Sequence, residues 1–258
     1  MYHGVLLGAW VGALMIAVPA AVYYVKGGGV GMDAHAYWLA GRTAHPYHAA
    51  PEQPDAYLYS PLFAQVLRPA SLLPWHVFDG LWILGESACF WWLTRGLSWW
   101  WRVPPLLLAV PEILVGNVYG PLAVAIALGL RCPALWAFAL LTKVTTVLPG
   151  LVWFAVRREW DKLLQLVGAS MLLVAVSFAF SPAMWVEWVR FLVANSGEGQ
   201  DTLPRVALAA LAAAVAARKN WPRVLPFAVL CAVPTWSGEN KDLAVLLAAA
   251  RPDGPGPR

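Results

Sequence analysis

The sequence predicts an all-α fold: a polytopic membrane helical bundle of about ten membrane segments with juxtamembrane helices on the outer side. Three observations predict it. The 258 residues are 60% hydrophobic and 12% charged, whereas a soluble domain carries about 25% charged residues; the mean hydropathy is +0.60. The apolar residues fall in long runs separated by short basic or Pro/Gly-bearing breaks. Sixteen Trp residues suit a chain that meets the membrane–water interface repeatedly, where indoles are favoured.

The first run, 5–25, ends at Lys26. Its Val5–Val18 core followed by Pro19-Ala20-Ala21 resembles a signal peptide, but no Lys or Arg precedes it, so a retained helix is expected. Gly4, Gly8 and Gly12 form a small-residue stripe suited to close helix contact. Polar sequence then extends over 26–60, where Gly27-Gly28-Gly29 reads as a flexible hinge. Pro61–Leu73 is apolar but too short to span, and reads as a juxtamembrane helix stopped by Pro74. Further apolar runs cover 75–94, 103–116, 118–130, 132–142, 144–156, 162–180, 204–217, 224–237 and 240–250. Trp91-Trp92 and Trp99-Trp100-Trp101 bracket Arg95 and precede Arg102, as in an aromatic belt with basic anchors. Ser181–Ala194 has aromatics spaced for a helix lying in the outer interface, an element expected over 181–195. The single membrane domain is expected to end near 250, with 251–258 a Pro/Gly-rich disordered tail.

Basic residues orient the bundle. With the N-terminus cytoplasmic, Arg95, Arg102, Arg131, Arg157, Arg158, Lys162, Arg218, Lys219 and Arg223 fall inside. Lys26, Arg42, Arg68, Arg190, Arg205 and Lys241 fall outside, and the opposite orientation reverses this bias. The net charge of +4 is therefore topological and implies no nucleic-acid partner. Cys89, Cys132 and Cys231 lie far apart in or beside apolar runs and read as packing residues.

Two features stand out from this lipid-compatible background. The outer loop 26–60 carries Asp33, His35, Arg42, His45, His48, Glu52 and Asp55. Their spacing matches no established zinc pattern, so no metal or other cofactor is expected. No Ser or Cys sits in a nucleophile elbow. The second feature is Lys143, in the run Leu140–Pro149, where an apolar stretch is broken at Lys143 and ends at Pro149. A lysine at membrane depth is costly unless paired or solvated. It either snorkels to the outer headgroups or faces an outward cavity and meets an anion there.

Asp33–Tyr37, Pro46-Tyr47, Tyr57-Leu-Tyr59-Ser60-Pro61-Leu62-Phe63 and Leu73-Pro74 occur in the order seen in polyprenol-phosphate-sugar-dependent glycosyltransferases. Gly116-Asn117-Val118-Tyr119 sits where glycosyltransferase family 87 tends to show Gly-Gln-x-Asn. Lys143 before Thr-Thr-Val-Leu-Pro149 resembles that family's Lys-x-x-Pro-like stretch, and Arg157-Arg158-Glu-Trp160 the basic-aromatic turn after it. The chain thus resembles family 87, mannosyltransferase-like membrane enzymes of the GT-C superfamily, over roughly residues 5–195. Asn117 stands where Gln is expected and Tyr119 where Asn is expected, and the chain is shorter than is usual for the family.

The resemblance implies transfer of a mannose-like sugar from a polyprenyl-phosphate donor to a lipid or glycan acceptor hydroxyl. This would take place at the outer face of a cell (inner) membrane. Asp33 is expected as the general base of an inverting displacement, which needs one carboxylate, whereas double displacement uses two. The leaving phosphate must be stabilised where its charge develops; Lys143 is the first candidate, followed by Arg190 and Lys241. Tyr37, Tyr59 and Asn117 are candidates for contacts to sugar, as are Glu239 and Asn240 in the last outer loop. Pro61–Leu73 and Ser181–Ala194 are expected to flank a groove for the prenyl chain. Two other readings stay open: a transporter or flippase, and a non-catalytic degenerate homologue. Transporters often carry paired broken helices in two halves, and the break at Lys143 has no C-terminal counterpart in the sequence.

Overall fold

The computed structural model describes residues 2–51, 53–195, 202–232 and 246–249. It is helical throughout, with no strand among the described residues. The helices are α1 (Tyr2–Gly27), α2 (Met32–Ala40), α3 (Pro61–Ser71), α4 (Trp75–Thr94), α5 (Trp99–Leu108), α6 (Val110–Val115), α7 (Tyr119–Gly129), α8 (Trp136–Thr142), α9 (Leu148–Val156), α10 (Trp160–Phe180), α11 (Pro182–Ala194), α12 (Thr202–Lys219) and α13 (Leu225–Ala232).

Two described helices are long and apolar enough to cross a membrane, over His3–Gly27 and Trp160–Phe180. Their most apolar stretches are only 11% and 17% buried by protein. Leu7, Met15, Leu164, Met171 and Phe180 are among the side chains left bare. A soluble core helix would be covered; an apolar surface of this extent requires another apolar partner.

The remaining runs are helical but shorter than a spanning length. Runs 118–130, 132–142, 144–156 and 224–237 correspond to the apolar helices Tyr119–Gly129, Pro133–Thr142, Val144–Val156 and Pro222–Ala232. The run 103–116 is divided between α5 and α6, with Pro104 and Pro105 inside α5 and Pro111 opening α6. Proline supplies no N–H to continue a helix, and Pro111 falls in the first turn of α6, where that N–H is not needed. Helix length therefore supports fewer spans than hydropathy alone suggests. Most of 240–250, and all of 251–258, lie outside the described residues.

The segments expected as outer interfacial helices are helical, as α3 and α11. The segment 26–60, expected as a loop, contains a short helix, α2, which starts from a left-handed Gly31 (φ 73°). A side chain at Gly31 would also run into the Asp79 carboxylate and Trp75. Nothing in the described structure lies within 4 Å of a Cβ added at Gly4, Gly8 or Gly12. That stripe, expected to mediate close helix contact, meets no other part of the described residues.

The main core forms around Trp136, Trp153 and Phe154, with Leu122, Ile126, Leu225 and Val229. The Trp136 indole fills the space beside Gly129 and Gly150, where any side chain would collide with it. A second cluster, Tyr37, Tyr57, Tyr59, Phe63, Phe78 and Val118, lies under the outer segment. At the opposite end, Arg157 and Lys162 both bond Glu159, and Arg157 also reaches Asn220. Partial burial would raise the Glu159 pKa, but these cationic donors outweigh it and hold the carboxyl below its usual range.

Candidate active site

The turn Gly116–Tyr119 organises the site. Gly116 ends α6 in the left-handed region (φ 76°), and a Cβ there would lie 2.7 Å from that of Ala34. Only glycine allows both the backbone reversal and the close seating of α2 against it. The Gly31 N–H donates to the Leu114 carbonyl at 2.7 Å, clipping the start of α2 to the same turn. Asp33 is thereby held in the first turn of α2, where the helix dipole favours a carboxylate.

Asn117 lies directly across from it. Its Nδ2 donates to Asp33 Oδ2 at 2.7 Å, while its Oδ1 accepts the Val118 N–H at 2.7 Å. Both ends of the carboxamide are thus engaged within the protein. Sequence reasoning placed Asn117 against sugar; here it aligns the carboxylate that would act as base. Asp33 itself is half-buried.

Two residues further on, Tyr119 meets Lys143. The Lys143 Nζ donates to Tyr119 Oη at 2.7 Å and stands 4.1 Å from the ring centroid. Lys143 terminates α8 with a non-helical backbone (φ −131°, ψ 89°), so the break expected there is real. Its freed backbone groups find partners. The Lys143 carbonyl accepts Thr146 Oγ1 at 2.6 Å, the Leu141 carbonyl accepts the Ser60 N–H at 3.2 Å, and Thr145 Oγ1 donates to Ala232 O at 2.5 Å. Irregular backbone at membrane depth is tolerated only when satisfied in this way. Asp33 and Lys143 are 110 positions apart in the chain, yet each is one hydrogen bond from the same four-residue turn.

Tyr37 and Tyr59, expected to touch sugar, form the wall behind Asp33. Tyr37 is 1% exposed and its hydroxyl donates to Tyr59 Oη at 3.0 Å. Burial, then the neighbouring Tyr59 and Asp33, push the Tyr37 phenol well above its usual range. It therefore remains a neutral donor. Arg190 lines a cleft between the 45–48 segment and α11, whose lining includes neither Asp33 nor Lys143. Lys241, Glu239 and Asn240 lie outside the described residues. Among the described residues no cluster of three His, Cys, Asp or Glu is arranged to hold a metal.

Sequence reasoning missed Glu86, a 1% exposed carboxylate in the middle of α4. Its Oε2 accepts the Gly120 N–H at 3.0 Å, and a Cβ at Gly120 would lie 2.5 Å from that same oxygen. Glu86 thus binds the start of α7 immediately after Tyr119. The available signal was the carboxylate itself inside an apolar run, which is functional by default in a membrane segment. Replacing Glu86 by Ala leaves a buried N–H without this partner, at a cost of about 1–3 kcal/mol. The expected outcome is a lowered unfolding temperature in detergent together with reduced activity, while Glu86→Gln, which keeps an acceptor, restores most of both.

The family model of glycosyltransferase family 87 matches residues 57–252. The match reaches further toward the C-terminus than the motifs alone suggest, and it begins after Asp33. It includes Asn117, Tyr119 and Lys143, so Asp33 joins the matched region through the Asn117 contact. No curated protein and no solved structure matches this sequence.

Proposed function

Because the chain belongs to glycosyltransferase family 87, we propose that it transfers a mannose-like sugar from a polyprenyl-phosphate donor to an acceptor hydroxyl on a lipid or glycan. The observation carrying this reading is the attachment of Asp33 and Lys143 to one turn, through Asn117 and Tyr119 respectively. A base and a cation tied to one turn are what a single displacement at a sugar phosphate would use.

In the proposed reaction the acceptor oxygen attacks the sugar C1 as the bond from C1 to the phosphate oxygen breaks. The acceptor proton passes to the Asp33 carboxylate. The electron pair of the broken bond stays on the phosphate, whose growing charge faces the Lys143 ammonium. One carboxylate suffices, so the configuration at C1 inverts. Asn117 sets the orientation of the base, and Tyr119 that of the cation.

The reaction is assigned to the outer face of the inner membrane, in a multi-pass chain with a cytoplasmic N-terminus. The basic ends of α4, α9 and α12 carry Arg95, Arg157, Arg158, Arg218 and Lys219, while Asp33, Asn117 and Lys143 lie at the other ends of their segments. This asymmetry supports that orientation. α3 and α11 flank the entry for the prenyl chain, since Gln65 donates to Ser177 O and Trp185 to Ser177 Oγ, bringing both to the end of α10.

Incubating membranes that contain the chain with a panel of radiolabelled polyprenyl-phosphate sugars tests the proposal. Label moving from one of these donors into lipid or glycan is the expected result. Transfer only from nucleotide sugars, or from no donor at all, would overturn it.

A further inference from the structure

Resting on the transferase reading above, we infer that the cleft between the outer segment and α11 binds a neutral saccharide portion of the acceptor. The cleft has a volume of about 420 Å³, within the range of about 300–1,000 Å³ typical of small-ligand sites. Tyr47 and Phe191 form its aromatic wall, with ring centroids 5.7 Å apart and planes inclined by 37°. Glu187, Arg190 and Asn195 supply polar groups, and His45 Nδ1 is hydrogen bonded to Glu187 Oε1 at 2.5 Å. The other oxygen, Glu187 Oε2, is buried with no partner among the described residues.

This lining selects by chemistry. A bare phosphate would meet the Glu187 carboxylate, and a cation would meet Arg190. A prenyl chain would strip water from both and return no hydrogen bond, a costly arrangement. A neutral polyol suits all of them. Each hydroxyl both donates and accepts, so it can donate to the Glu187 carboxylate while accepting from Arg190 or Asn195. Its C–H face can lie against the Tyr47 and Phe191 rings.

Position favours the acceptor over the donor. Tyr47 Oη donates to the Tyr59 carbonyl at 2.9 Å, and Tyr59 accepts from Tyr37, one helical turn beyond Asp33. Two tyrosines, Tyr59 and Tyr37, therefore link the cleft wall to the helix that carries the base. The cation assigned to the donor phosphate, Lys143, is held by Tyr119 instead.

Two arms of one experiment test the inference on the full chain in nanodiscs. In the first, saturation-transfer NMR with gluco-, galacto- and manno-configured disaccharides should show binding to the native chain that is lost in Glu187→Ala and in Asn195→Ala. Absence of disaccharide binding to the native chain, or binding unaltered in both variants, would overturn the inference. The second arm uses whichever polyprenyl-phosphate sugar the native chain accepts. Here Glu187→Ala should raise the acceptor KM by about tenfold, the effect of one charge-assisted hydrogen bond. The donor KM, and the rate of donor hydrolysis without acceptor, should stay unchanged. A rise in donor KM with no change in acceptor KM would also overturn it. If no donor is used at all, the transferase reading fails while the NMR arm still decides the cleft.

Discussion

Replacing Asp33 by Asn is expected to slow sugar transfer by about 10²–10⁴-fold, the contribution of a positioned general base. Asparagine has nearly the same shape, and its side-chain oxygen can still accept the Asn117 amide now held at 2.7 Å. The turn at Gly116 and the start of α2 should therefore keep their geometry, and the unfolding temperature in detergent should match that of the native chain. Initial rates at saturating donor and acceptor, measured beside that unfolding control, check the prediction. Unchanged turnover would remove Asp33 as the base. Asn117→Ala supplies an internal comparison: it leaves the carboxylate in place but unaligned, so it should be slower than native and faster than Asp33→Asn.

Lys143→Ala should cost about 10²–10³-fold in kcat, the typical loss when one electrostatic stabiliser of a developing oxyanion is removed. The donor KM should rise as well, because the phosphate is charged before it departs. The acceptor KM should hardly move. Lys143→Arg keeps the charge but changes the compact ammonium for a planar fork, so it should recover part of the loss. If donor dependence is the same in Lys143→Ala as in the native chain, the phosphate is held elsewhere. The fold should tolerate the change, since Thr142, Thr145 and Thr146 hold the α8 break through their own hydroxyls.

Parts of the site were legible in the sequence because they conflict with their surroundings. Lys143 interrupts an apolar run, and an ammonium there demands an explanation wherever it points. Asp33 follows shortly after a long apolar helix, where the sequence first turns polar. Asn117 was read as a sugar-contact candidate and Tyr119 only as a departure from a motif, and neither reading indicates a protein partner by itself. Their roles depend on contacts between residues 84 and 24 positions apart. Glu86 was legible in principle, yet its apolar neighbours masked it in any averaged hydropathy. Arg190 was grouped with Lys143 because both are cationic and on the outer side, but lateral position within a bundle is not encoded in charge or membrane depth.

The sequence by itself determined the helical class, the two long apolar helices α1 and α10, the shorter helices α3 and α11, and the break at Lys143. Each follows from local physics: hydropathy over a turn or more of helix, proline stops, and the cost of an ionisable group among apolar ones. Tertiary structure alone decided that α2 folds back on the α6–α7 turn, that Asn117 faces Asp33, that Tyr119 faces Lys143, and that Glu86 binds Gly120. Those pairings depend on which helix faces pack together, because side chains distant in sequence meet only when close contacts, such as Gly116 against Ala34 and Gly120 against Glu86, bring their backbones within reach.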